Sequence, residues 1–210
     1  MKKLLIGLSL LLGLSAHALA GDAVAGKDKS LMCSACHGAD GNSMVPSFPK
    51  LAGQNQRYLI KQMNDIKNGA RPVPTMVGQL DAMSEADIAD IAAFYASQNA
   101  SGGQADPATV ALGAGVYRAG VSASGVAACA ACHGARGGGN APAGFPALAG
   151  QHPEYIADQL RRFRTGAENT LAENPAGRTN DGDARMMRDV AYRLTDNEIA
   201  ALSNFIAGLH

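Results

Sequence analysis

The chain has 210 residues, with 18 Lys or Arg balanced by 18 Asp or Glu for a formal net charge of zero. That balance leaves no basic excess for a nucleic-acid backbone, and a 47% hydrophobic content excludes a disordered chain. Trp is absent, aromatic residues reach only 5%, and four cysteines are too few for a disulfide-dense scaffold, so their arrangement matters more than their number.

In chain order, Lys2 and Lys3 open the sequence, a short apolar stretch follows over residues 4–14, and Ala18 and Ala20 form an A-x-A cleavage pattern. Residues 1–20 therefore read as a cleaved secretory signal peptide, with Gly21 as the new N-terminus. The apolar run is too short to span a bilayer. Cleavage leaves 190 residues with 16 basic and 18 acidic side chains, a net charge near −2. Export points to an oxidising compartment, where neighbouring thiols pair unless other chemistry consumes them.

The mature chain is a tandem repeat. Cys33, Cys36 and His37 recur as Cys129, Cys132 and His133 at an offset of 96. Phe48-Pro-Lys-Leu-Ala-Gly-Gln54 recurs as Phe145-Pro-Ala-Leu-Ala-Gly-Gln151 at an offset of 97, and Tyr58 and Gln62 recur as Tyr155 and Gln159. The last segments match at an offset of 111, so the second half carries one extra residue in its first loop and 14 in its later loop. The expected organisation is one domain over residues 21–97, a small-residue polar linker over 98–107 and a second domain over 108–210.

The periodicity is helical throughout. Short helices are expected before each cysteine pair, around residues 23–32 and 107–118. Leu59, Met63 and Ile66, matched by Ile156, Leu160 and Phe163, form apolar stripes. Ser84 with Asp87 and Thr195 with Glu198 read as capping boxes opening the last helix of each half. No alternating strand pattern is present, so the fold class is all-α, two domains of short helices joined by Gly- and Pro-rich loops.

Cys-x-x-Cys-His is the attachment signature of c-type haem. Two thiols two residues apart can bond the two vinyl groups on one edge of a porphyrin, and the adjacent imidazole can then lie under the iron. A thioredoxin-like redox pair belongs beside a βαβ pattern that is missing here, and leaves both histidines unexplained. A single zinc held by four thiolates would force both halves to share one centre. Two covalent haem c groups, one at Cys33, Cys36 and His37 and one at Cys129, Cys132 and His133, satisfy both copies. They also supply the apolar surface that such small domains lack.

Register selects the ligand on the opposite face. Met76 lies eight residues before Ser84, and Met187 lies eight residues before Thr195, after loops of unequal length. Met83 matches Leu194 and Met63 matches Leu160, which reads as core. Met44 is close to His37 in sequence, and Met186 matches Thr75 and lacks repeat support. His152 matches Asn55 and reads as a helix-capping or surface residue. His37 with Met76 and His133 with Met187 are the expected iron ligands. Two protein ligands per iron favour electron transfer over chemistry at an open face.

These motifs resemble the dihaem cytochrome c4 family over essentially the whole mature chain. The match includes the two cysteine motifs, Asp40-Gly41-Asn42-Ser43, both Gln-ending segments, Arg178-Thr-Asn-Asp-Gly-Asp183, Met187-Arg188 and the C-terminal Ile206-Ala-Gly-Leu-His210. The resemblance implies two class I cytochrome c domains packed face to face about a pseudo-twofold axis, with His37, Met76, His133 and Met187 as axial ligands. It brings the haem propionates toward the domain interface and makes Tyr58, Tyr155, Arg57 and Arg178 candidates there. It further implies a periplasmic electron carrier without a substrate-transforming site, associated loosely with the membrane in some members. Such a carrier links a respiratory donor to a terminal oxidase, cbb3-type oxidases included. The competing expectation is a haem-bearing electron-transfer subunit of a flavocytochrome or other dehydrogenase.

Overall fold

The computed structural model describes residues 21–168 and 176–210. The segment read as an export signal, residues 1–20, lies outside them. The two halves share a helix before the cysteine motif, the motif helix, a long middle helix and a last helix, and differ in the shorter elements between them. The first has α1 (Ala23–Lys29), α2 (Ser34–His37), α3 (Gln56–Lys67), a 3-10 turn (Pro74–Met76) and α4 (Glu85–Ala96). The second has α5 (Pro107–Ala119), a 3-10 turn (Ser122–Ser124), α6 (Ala130–His133), α7 (Pro153–Ala167), α8 (Met186–Tyr192) and α9 (Asp196–Ala207). No strand occurs among the described residues. Isolated bridges pair Val121 with Val126 and Asn140 with Phe145.

Local chemistry fixes the helix starts. Asp22 caps α1 by accepting from the Val24 and Ala25 amides, and Asp106 caps α5, which opens on Pro107. Ser84 and Thr195 form reciprocal boxes with Asp87 and Glu198. The first and last helices of each half then cross at backbone contact. A Cβ on Gly26 would lie 1.9 Å from the Asp90 carbonyl oxygen, and one on Gly113 would lie 2.1 Å from that of Ala201. Only glycine permits these crossings.

The crossings anchor two separate cores. Leu59, Ile91, Ala92, Phe94 and Tyr95 form the first. The second is larger, with Val116, Tyr117, Ile156, Leu160, Phe163, Ile199, Leu202 and Phe205 among its members. Taking the glycine crossings as register, Ser30 of the first half corresponds to Tyr117 of the second, and Tyr95 corresponds to Ile206. One buried tyrosine serves each core, supplied by α4 in one half and by α5 in the other. The same register exposes nine further residues in the second half between Gly113 and Cys129, a longer α5 followed by the Val121–Val126 turn. The repeat pattern alone does not reveal this insertion.

The segment read as a linker is held by both halves, its Asp106 amide donating to Asn204 Oδ1 of the second half at 2.7 Å. Asn42 accepts from the Ser101 amide at 2.7 Å and donates to the Asn99 carbonyl at 3.0 Å. The Lys50 ammonium donates to the carbonyls of Gly150 at 2.9 Å and Ser101 at 3.2 Å.

Candidate functional site

Each cysteine motif forms a single helical turn that ends on a buried histidine. His37 Nδ1 lies 3.0 Å from the Pro49 carbonyl oxygen, and His133 Nδ1 lies 3.0 Å from that of Pro146. A carbonyl can only accept, so Nδ1 carries the proton and Nε2 keeps its lone pair. This is how a protein orients a metal-binding imidazole. Phe48 and Phe145 stand against the two rings, each with centroids 6.3 Å apart. Burial pulls both histidine pKa values below the ordinary value, while the proline carbonyls push the other way, so both rings are neutral at pH 7.

All four thiols are free, Cys33 and Cys129 half-buried, Cys36 and Cys132 exposed. Burial pushes the Cys33 thiol up and the Cys129 thiol up to about 11. Cys33 and Cys129 are thus less acidic than the cysteines of redox catalysts. Among the described residues no three His, Cys, Asp or Glu side chains gather as a metal-holding group.

Met76 ends the 3-10 turn and is half-buried. Met187 packs on the second core, whereas Met186 is 47% exposed. Arg185, which precedes both methionines at the N-cap of α8, is the one non-glycine residue at positive φ (50°) among the described residues. Asp181 then clasps Arg188, accepting from its amide at 2.9 Å and from Nε at 2.6 Å. Met44 is exposed, Met63 and Met83 are partly buried beside the first core, and Leu194, the match of Met83, is buried. His152 occupies the N-cap position of α7 but makes no capping bond. Its Nε2 instead meets the Ser43 carbonyl of the other half at 2.8 Å.

The halves meet through two sets of paired contacts. Gln54 donates to the Ala147 carbonyl (2.9 Å) and accepts from the Ala147 amide (2.8 Å). Gln151 does the same with Lys50, at 2.9 Å in both directions. The second set is an Arg–Gln–Tyr network. Arg71 donates to Gln62 Oε1 of its own half (3.0 Å), and to Tyr155 OH (2.8 Å) and Gln159 Oε1 (3.0 Å) of the other. Arg178 donates to Gln159 Oε1 of its own half (2.7 Å), and to Gln62 Oε1 (2.9 Å) and Tyr58 OH (3.3 Å) of the other.

Arg71 was not among the interface candidates drawn from the sequence. Arg57 was, and it is exposed, donating to the Pro142 carbonyl at 2.7 Å rather than joining the network. The match of Arg71 to Arg178 is hidden because ten of the 14 extra residues precede Arg178 and four follow it. The backbone makes it plain. The Arg71 amide donates to the Asp65 carbonyl and the Arg178 amide to the Arg162 carbonyl, both at 2.8 Å, and Asp65 and Arg162 are 97 residues apart. The only signal in the sequence is an arginine shortly before the methionine in each half.

Comparison with known proteins places this geometry. A family model described as Cytochrome c matches residues 20–99 and again 110–210. Over 212 aligned residues that cover both chains completely, the chain is 53% identical to cytochrome c4 of Pseudomonas aeruginosa. The chain belongs to the cytochrome c4 family. The crystal structure of reduced recombinant cytochrome c4 from Pseudomonas stutzeri matches it with a TM-score of 0.85 at 49% identity, over 91% of this chain and all of that one. A Stutzerimonas stutzeri protein named thiosulfate dehydrogenase electron acceptor is 31% identical over 210 residues, covering 96% of this chain and 91% of its own. As a member of the cytochrome c4 family, the chain is an all-α electron-transfer cytochrome with two tandem cytochrome c domains and two covalent haem c groups. The residues fit that cofactor: two free thiols and an Nε2 lone pair on one turn, once in each half.

Proposed function

We propose that Cys33 and Cys36 hold one haem and Cys129 and Cys132 the other through thioethers, with His37 and His133 as proximal ligands and Met76 and Met187 as distal ones. Residues 21–97 and 108–210 are then two one-electron units joined by 98–107. Haem held between His and Met supplies an Fe(III)/Fe(II) couple of higher potential than one held between two histidines. The carrying observation is the duplicated buried imidazole, its Nδ1 committed to a proline carbonyl and its Nε2 available. The carbonyl fixes the ring, and methionine on the distal side would leave no open face for a substrate. The protein acts as a carrier with no substrate-transforming site of its own.

The export signal supports a place in the periplasm, carrying electrons from a respiratory donor to a terminal oxidase, cbb3-type oxidases being the family-based candidates. No helix among the described residues is long and apolar enough to cross a membrane. A second reading, electron acceptor for a dehydrogenase, is supported by the similarity to the thiosulfate dehydrogenase electron acceptor. Reduction rates with isolated dehydrogenase against oxidation rates with terminal oxidase separate the two.

The ligand assignment is tested by a redox titration that follows the weak Met–Fe(III) charge-transfer band. M76A and M187A should each remove one component of the band and lower one potential, and M186A should leave both components intact. Unchanged spectra in M76A and M187A would defeat the assignment.

A further inference from the structure

Tyr95 is 1% exposed, yet its hydroxyl makes no hydrogen bond, a costly state for a buried polar group. The side chain has no room to turn elsewhere. A Cβ on Gly41 would lie 2.7 Å from Tyr95 Cδ1, and Phe94 stands against the ring with centroids 5.1 Å apart. The side chains that face the hydroxyl are those of Cys33 and Ser30, neither at hydrogen-bonding geometry. Ser30 commits its own proton to the Lys27 carbonyl at 2.8 Å. Cys33 packs on the same core as Tyr95 and is the first thiol of its motif. Burial first, and then negative charge on the Cys33 sulfur, push the Tyr95 hydroxyl above its ordinary value, so it keeps its proton at pH 7. The second half differs here. Tyr95 corresponds to Ile206, and the tyrosine of that core, Tyr117, spends its proton on the Gly134 carbonyl at 2.6 Å.

Thioether formation changes what Cys33 can do. The sulfur bonds one carbon of a vinyl group and the thiol proton goes to the other, with no oxidant or reductant consumed. The sulfur then keeps lone pairs only and can only accept. We propose that Tyr95 donates its proton to the Cys33 sulfur once that sulfur carries the haem, and thereby raises the potential of the first-half haem. Drawing electron density from the haem edge favours the ferrous state, the more electron-rich of the two. Hydrogen bonding around the cofactor is one of the levers by which a protein sets its potential. Tyr95 is thus a positioning residue that acts through the sulfur. The proposal rests on the thioether assignment above.

The test is spectroelectrochemical titration of the holoprotein. Y95F should shift the first-half couple toward the oxidised form by about threefold, as expected for one weak hydrogen bond, or about 28 mV for a one-electron couple. The second-half potential, the covalent haem content and both Met charge-transfer bands should stay as in the parent. The first-half couple is the one whose potential M76A lowers. S30A, which removes the other hydroxyl facing Tyr95, should leave both potentials near the parent's. In the parent, a C–S stretching band in the resonance Raman spectrum should move after full exchange into heavy water, a reading that stands even if Y95F does not mature. An unchanged first-half potential in Y95F, greater thermal stability of Y95F than of the parent, an S30A shift as large as that of Y95F, or no isotope shift would overturn the proposal. Absence of covalent haem at Cys33 in the parent would instead strike the thioether assignment.

Discussion

Asp181 and Arg188 show how one residue pair can govern a neighbour. Their side chains are largely buried, and Asp181 holds both the amide and the Nε of Arg188, the residue after Met187. Removing one partner of a buried pair strands the other charge, which typically costs about 3–5 kcal/mol. D181N should therefore loosen the start of α8. The second-half component of the Met charge-transfer band should disappear on heating before the first-half component, in a scan where the parent loses the two closer together. If the band melts as in the parent, the pair does not hold Met187. The eight-residue spacing of Met76 and Met187 from their capping boxes is visible in the sequence. The inward turn of Met187 is not, because it depends on a left-handed Arg185 that no propensity announces.

At the scale of elements, the glycine crossings and the charge clasp beside them carry separate predictions. G26A and G113A place a methyl group against a carbonyl oxygen of the partner helix. Each should cost about 1–3 kcal/mol as overpacking does, read by denaturant unfolding of the holoprotein. A null result would mean that the helices can part freely. Lys29 lies at the end of α1 and pairs with Asp87 (2.7 Å) and Asp90 (2.6 Å) of α4. The lysine holds both carboxyls below their ordinary value of 3.8, and they hold its ammonium above 10.5. The clasp therefore contributes fully between those two ordinary values. It fades as pH falls through the depressed carboxyl values or rises through the elevated lysine value. K29M should lower stability at pH 7 and converge with the parent in strong acid. A constant difference across pH would refute the clasp.

The helices themselves were legible from capping boxes and apolar spacing because those are local signals. The exchanged tyrosine was not. Tyr95 and Tyr117 fill their cores from different helices, so aligning the halves pairs each with a residue of another size. The nine-residue insertion before Cys129 was missed for a related reason. Helix α1 is too short to show a register, and only its contact with α4 at Gly26 supplies one.

For the whole molecule, the interface decides whether the halves behave as one body. Gln54 and Gln151 each complete two main-chain hydrogen bonds in the opposite half. Q54A/Q151A would leave those amides and carbonyls to water. It should split thermal unfolding into two transitions and speed proteolysis within residues 98–107. A single, unshifted transition would show that the remaining contacts, the arginine network among them, hold the halves together without the glutamines. Arg71 marks the limit of reading this level from sequence. A lone arginine in a polar loop looks like a solvated side chain, and its role exists only once the other half is present.

The glutamine pairing has one more consequence. Each amide grips the main chain, and a main-chain grip is blind to the side chain attached there. Gln151 holds a lysine and Gln54 an alanine with the same pair of bonds. Descendants of a duplicated segment could therefore drift apart at positions 50 and 147 without losing their handshake, free to specialise one copy while its twin stayed as it was.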